Sequence, residues 1–244
     1  MDLDLLVNII SLRRSGMHAV AGWIYEQIPE PKHFVNNRVL RQRRIRRPKR
    51  FNNIESLNGA IIVNEDFALT KDISSKIAFE NESDILGKIG LRRNVLVLRH
   101  PLNYMASVLK CPRQWAKPIQ INWKHRVENW KLYAREYLGD TSFLPHKVCV
   151  SFDRWFANRK YRKKISKQLR LKFTDKGKNT VGAWGGGSSF DGLIYKNSAE
   201  RMDVLARWKQ VLHVKRNRKI FRYIQKDVEV IELCSRMKYD LTTD

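Results

Sequence analysis

The stretch that decides the fold is LLVNIISLRRSGMHAVAGWIYEQI, residues 5–28. It opens with an apolar run, 5–12, too short for a useful helix and rich in Ile and Val, which reads as a strand buried on both faces. The run breaks at Arg13, Arg14, Ser15 and Gly16. From Met17 the apolar spacing changes, and Val20, Trp23, Ile24 and Ile28 fall on one helical face. Strand, tight basic turn and helix therefore follow one another. Such a unit gathers backbone N–H groups and the positive end of a helix dipole beside Arg14, a place suited to a phosphate or sulfate group. An ordinary βα turn carrying a surface arginine pair fits the same residues, and this stretch alone does not choose between them.

Working outward, Pro29 and Pro31 end the first helix, and 32–58 reads as an irregular basic insertion facing a substrate, a partner or only solvent. AIIVN, 60–64, is a second strand that delivers Glu65 and Asp66 at its carboxyl end. Residues 71–89 read as partly helical. NVLVL, 94–98, is a third strand, followed by Arg99, His100 and a helix from Pro101 to 110, with Pro at the first helical position, where no N–H is needed. Ser107 then lies about two turns into that helix, so that a long arginine and a hydroxyl can converge on one anion. Residues 122–138 form the clearest amphipathic helix, and its Trp123, Val127, Trp130, Ala134, Tyr137 and Leu138 read as core. KVCVSF, 147–152, is a fourth strand and 153–170 a basic helix. Residues 172–193, with KGKNTVGAWGGGSSFDG, are too glycine-rich for regular structure and suggest a loop that approaches or moves over a ligand. Ser198 is expected to cap a helix bearing Met202, Leu205, Trp208 or Lys209, and Leu212 along one face.

Four strands alternating with helices argue for a single α/β domain over 1–244, a three-layer sandwich with a central parallel sheet flanked by helices and a P-loop-like strand–loop–helix. Ligands of such sheets lie at the carboxyl ends of the strands, where Arg14, Glu65 and Arg99 fall.

A length of 244 residues suffices to bury a core without staples. Cys111, Cys149 and Cys234 are scattered, without metal-ligand spacing, so neither a disulfide framework nor a structural zinc site is expected. No basic leader region, cleavage site or membrane-length apolar stretch is seen, and a soluble cytoplasmic protein is the expectation. Charge is the loudest global signal: 48 Lys plus Arg against 24 Asp plus Glu give +24, which attracts polyanions without saying which. Basic residues concentrate in 38–50, in the acid-free run 154–174 and around Lys215, Arg216, Arg218, Lys219 and Arg222.

Two of these stretches, SLRRSGMH and LRHPLNYMAS, together resemble the nucleotide signatures of the sulfotransferases that use 3′-phosphoadenosine 5′-phosphosulfate (PAPS). In that family a Lys/Arg-Ser-Gly-Thr-Thr loop holds the 5′-phosphosulfate; Arg14, Ser15, Gly16, Met17 and His18 match it, with Met17 and His18 replacing the threonines. A later arginine with a serine eight residues on binds the 3′-phosphate, and Arg99 and Ser107 match that spacing. A late Lys-Gly followed by Gly-x-Trp closes over the nucleotide; Lys176, Gly177, Gly182 and Trp184 resemble it, with longer spacing and Asp175 where an arginine is common. Ala19 stands where cytosolic small-molecule members carry a tryptophan, so the adenine must stack elsewhere, and arginine in the first motif is closer to members acting on protein or carbohydrate.

The resemblance implies sulfuryl transfer from PAPS to a hydroxyl or amine, an in-line displacement governed by positioning and by charge stabilisation on the leaving oxygen. Arg14 is the candidate for that stabilisation. The candidate bases are Glu65, then Asp66, then His18; a salt bridge to one of the many arginines is the plain alternative for Glu65. No metal is implied. The partners are the nucleotide and an acceptor, anionic or carbohydrate in character. Two other readings stand beside this one. A non-enzymatic nucleic-acid or polyanion binder explains the charge and leaves the Arg99/Ser107 spacing unexplained; a phosphate-loop kinase lacks GxxxxGK[ST].

Overall fold

A computed structural model describes residues 2–35, 56–66, 69, 88–110, 122–182, 187–188 and 190–241. Most of the basic insertion, the partly helical reading of 71–89 up to 87, Cys111 and Trp184 lie outside the described residues.

Among the described residues six strands, all parallel, form one sheet. They are β1 (Asp2–Ser11), β2 (Lys32–Val35), β3 (Ser56–Leu57), β4 (Gly59–Glu65), β5 (Lys88–Leu98) and β6 (Lys147–Ser151). Their order is β2-β4-β1-β5-β6, with β3 paired to the start of β1. Two departures from the sequence reading fall here: both described ends of the expected irregular insertion are strands, and β5 begins six residues before the expected 94.

The helices among the described residues are α1 (Met17–Tyr25), α2 (Pro101–Leu109), α3 (Trp123–Leu138), α4 (Phe152–Ala157), α5 (Arg159–Gln168), α6 (Lys215–Lys226) and α7 (Val228–Met237). None is long and apolar enough to cross a membrane.

Side-chain alternation builds the three layers. Leu5, Val7 and Ile9 of β1, with Val95 and Val97 of β5, pack beneath Val20, Trp23 and Ile24 of α1 and Trp155 of α4. Ile10, Leu96 and Leu98 face the other way, against α2, Trp130 of α3, Phe221 of α6 and Leu233 of α7. Strands buried on both faces read as unbroken apolar runs because neither face meets water. Trp130 is core, as its helical spacing implies, and its Nε1 donates to Arg99 O at 2.9 Å.

Two expected helices are corrected. The basic helix over 153–170 is two helices, broken at Asn158, whose backbone is extended and whose side chain accepts from Tyr161 N. Arg162 Nη1 donates to Trp155 O at 2.6 Å and to Phe156 O at 3.2 Å, satisfying carbonyls at the end of α4. The helix expected after Ser198 is only two short 3₁₀ turns, Ala199–Arg201 and Lys209–Val211, and the Ser198 side chain caps nothing. Here Arg99 Nη2 donates to Val204 O and Asn103 Nδ2 to Leu205 O, both at 2.7 Å. Tertiary donors take carbonyls that a helix would have used.

Register aligns the chemistry. Ser11 lies opposite Glu65 on one side and Val97 on the other, and Leu98 lies opposite Ser151. The carboxyl ends of β4, β1, β5 and β6 are therefore level, and the segments leaving them meet at one edge of the sheet.

Candidate functional site

At that edge lies a cavity of about 430 Å³, a size that suits a small-molecule ligand. Four strand ends line it: Arg13 and Arg14 after β1, Glu65 closing β4, Arg99 after β5 and Phe152 after β6. Met17, His18, Ser107, Trp155, Phe156, Lys178 and Arg207 complete its functional walls. Five of these lining residues are Lys or Arg and one is a carboxylate, so the walls favour an anion.

The loop after β1 is held in an unusual backbone path. Arg14 sits at φ 77° and Gly16 at φ 82°. A left-handed arginine costs of the order of 1 kcal/mol and persists only where its surroundings over-determine it. Gly16 is required: a Cβ there would lie 2.2 Å from Phe152 Cε2. Helix α1 begins at once, with Ala19 N and Val20 N bonded back to Gly16 O and no side chain capping its start. Its amide end is thus presented to the cavity through Gly16, Met17 and His18. Ser15 is buried just behind, and its Oγ has no hydrogen-bond partner among the described residues.

The opposite wall is built around Arg99, 2% exposed. Its Nη1 donates to Ser107 Oγ at 2.8 Å and its Nη2 to Val204 O, while Nε has no partner among the described residues. Burial pulls its pKa down to about 10, and the nearby Arg207 adds to the fall. Arg207, 5% exposed, donates to Asp191 Oδ2 at 2.6 Å and to Ser188 Oγ at 3.0 Å; burial lowers its pKa as well. Of these two buried guanidiniums only Arg207 forms an ion pair among the described residues, with Asp191, while Asp153 and Asp203 support the charges without pairing, so the wall suits further negative charge. Aromatic surface lies alongside. Phe152 carries the Arg99 guanidinium 4.9 Å from its ring centre, and the Lys178 amine lies 4.5 Å from that of Phe156. Trp155 Nε1 is buried without a partner among the described residues.

The carboxylates at the end of β4 differ in placement. Glu65, its side chain 10% exposed, lines the cavity and pairs with Arg13 Nε at 3.1 Å. Asp66, at φ 52°, does not line it; Asp66 Oδ1 accepts from Arg13 N at 2.9 Å, and Arg126 of α3 reaches both its oxygens at 3.2 Å. Asp66 therefore ties α3 to the start of the loop.

Of the residues singled out in the sequence, the cavity brings together Arg14, Gly16, Met17, His18, Glu65, Arg99, Ser107 and Gly182. Lys176 and Gly177 do not line it: Lys176 pairs with Glu26 at 3.4 Å, and a Cβ on Gly177 would meet Glu26 Cγ. The lysine at the cavity is Lys178, two residues on. Sequence reasoning missed Lys178, Arg207 and the aromatic trio of α4. An arginine within the apolar series Val204, Leu205, Trp208 was the available signal for Arg207.

No protein-family model matches the chain, and no curated protein matches its sequence. Among solved structures it is similar to mouse sulfotransferase SULT7A1 complexed with PAP, at 14% identity and a TM-score of 0.49, over 96% of this chain and 89% of that one. It is also similar to the sulfotransferase domain from the curacin biosynthetic pathway, at 13% identity and a TM-score of 0.40, over 78% of this chain and 65% of that one. At these values no residue role passes from either enzyme to this chain; both of these solved structures are sulfotransferases.

Proposed function

We propose that this chain binds PAPS in the cleft and transfers its sulfuryl group to a hydroxyl or amine of an acceptor, carbohydrate or protein. The observation that carries the reading is that Arg14 and Arg99, which leave two different strands, line one cavity together with Ser107. Three buried polar atoms in or beside it, Ser15 Oγ, Arg99 Nε and Trp155 Nε1, have no hydrogen-bond partner among the described residues. A nucleotide with phosphates at both ends of its sugar would supply acceptors for them.

In this reading Arg14 and the amide end of α1 hold the 5′-phosphosulfate, and Arg99, Ser107 and Arg207 hold the 3′-phosphate. Phe156, half-buried on the cavity wall, offers ring surface to the adenine, the role that Ala19 cannot fill. The donor supplies an activated S–O bond. The acceptor atom forms its bond to sulfur as the bond from sulfur to the 5′-phosphate oxygen breaks, and the acceptor proton passes to a protein base. Arg14 stabilises the charge left on the phosphate oxygen, an effect of ~3 kcal/mol for one preorganised donor. Glu65 is the base of choice, since it lies in the cavity and Arg13 fixes its orientation. His18 is the second candidate, and the three bonds that engage Asp66 rank it last.

The test is calorimetry with PAP, the desulfated product, followed by a sulfate-donor assay over glycans, tyrosine peptides and phenols. The expected result is one PAP bound per chain and transfer to one acceptor class. A wild-type chain that binds no PAP would refute the reading.

A further inference from the structure

We propose that the outer face of α6 is a docking surface for duplex nucleic acid, contacting the phosphodiester backbone without reading its sequence. This inference stands apart from the chemistry of the cleft, since no α6 residue lines that cavity.

Helix α6 is KRNRKIFRYIQK. Its inner side, Ile220, Phe221 and Ile224, is buried in the core. Its outer side exposes Lys215, Arg218, Lys219, Arg222 and Lys226, spaced three and four residues apart and so aligned in one stripe.

Local physics disfavours this helix in three ways. Like charges at i,i+3 and i,i+4 repel. Lys215 and Arg216 stand in the first turn, at the positive end of the helix dipole, where there is no acid. Val214 at the N-cap provides no side-chain bond.

No relief comes from nearby acids. None of these cations forms an ion pair among the described residues, and the α7 acids beside them are engaged elsewhere: Asp227 and Glu229 by Lys131, Glu229 also by Arg135, Glu232 by Arg236. A helix whose first turn and exposed stripe set like charges together, with only Lys226 favourably placed in its last turn, and whose apolar side holds it in place, is arranged for an anion from outside.

The spacing selects which anion. Five charges over an axial rise of ~16 Å make one per ~4 Å, close to the ~3.4 Å of duplex axis that each phosphate of one strand occupies. The stripe offers no exposed Asn or Gln to read bases. Its aromatic, Tyr223, is engaged with Trp123 in an edge-to-face pair, ring centres 4.9 Å apart. Backbone contact with a duplex fits this better than capture of single strands.

Helix α5 is the internal comparison. It exposes Lys160, Lys163, Lys164 and Lys167, but its first turn is capped by Asn158, and Arg159 and Arg162 share Asp175.

The experiment measures binding of the full chain to a labelled 25-base-pair DNA by fluorescence anisotropy between 50 and 300 mM KCl. Replacing three phosphate contacts with Lys219→Gln, Arg222→Gln and Lys226→Gln should reduce the slope of log affinity against log salt by about 2.7. The pair Lys215→Gln and Arg218→Gln tests the other end of the stripe, with a reduction of about 1.8. The matched triple Lys160→Gln, Lys163→Gln and Lys167→Gln should leave the slope unchanged, and saturating PAP should not displace the duplex. Equal losses in the α5 and α6 triples would overturn the proposal in favour of diffuse attraction. Displacement by PAP would place the DNA in the cleft and overturn it too, as would a sulfated glycan competing tenfold better than unlabelled duplex.

Discussion

Replacing Arg99 by methionine separates a binding residue from a structural one. Burial holds the Arg99 pKa at about 10, a depression from the ordinary arginine value that corresponds to about 3 kcal/mol against the charged form. Two charge-assisted hydrogen bonds, to Ser107 Oγ and Val204 O, return ~1.5 kcal/mol each. The two sides nearly cancel, and methionine preserves most of the packed stem. Methionine leaves Val204 O and Ser107 Oγ without this donor, a further ~1–2 kcal/mol, so Arg99→Met should destabilise the ligand-free chain by no more than ~2 kcal/mol, read from urea unfolding. Ligand stabilisation should behave differently. At a hundredfold excess over its Kd, PAP stabilises a binding-competent chain by ~2.7 kcal/mol, and the variant should lose nearly all of that in a thermal-shift assay. A variant that loses more than ~3 kcal/mol without ligand, as when a buried ion pair is broken, and that keeps its PAP-induced shift, would show Arg99 to be a structural cation and refute the reasoning.

Gly16→Ala forces a Cβ to within 2.2 Å of Phe152 at φ 82°, and should cost ~2–4 kcal/mol from left-handed strain plus overpacking; a urea-unfolding loss below ~1 kcal/mol would mean that the loop relaxes freely. Glu65→Gln should cut turnover ~100-fold or more while leaving PAP affinity within about threefold, and unchanged turnover would move the base to His18. PAP affinity should be flat from pH 7 to 9 and fall above pH 10, because the charged guanidinium binds the phosphate and the free chain loses that proton near its lowered pKa. Calorimetry on Arg99→Met should show no such fall; the same pH profile in the variant would assign it to other groups.

Much of the site was legible because it is local. The alternation of Leu5, Val7 and Ile9 against Leu6 and Ile10 required a strand buried on both faces, and the break at 13–16 required a turn. Arg99 and Ser107 follow from a strand end and a proline-started helix: Arg99 leaves the strand, and Ser107, about two turns into Pro101–Leu109, lies within reach of its long side chain. Glu65 needed only its place at the end of a strand. What failed was whatever long-range bonds decide. The apolar series 202–212 has helical spacing, yet Arg99 and Asn103 take the carbonyls of Val204 and Leu205, and the segment stays irregular. Asn158 looked like the interior of a basic helix until Arg162 satisfied the carbonyls before it.

Sequence by itself thus determined a parallel α/β sheet and two basic crossovers, because periodicity, turn chemistry and spacing act over a few residues and need no partner. Only the tertiary structure decided that Arg207 and Lys178 join the cleft, that Lys176 stays outside it, and that Asp66 braces the loop. Each of those outcomes depends on which distant atoms compete for one donor or one buried charge, and that competition exists only once the strands have set their register.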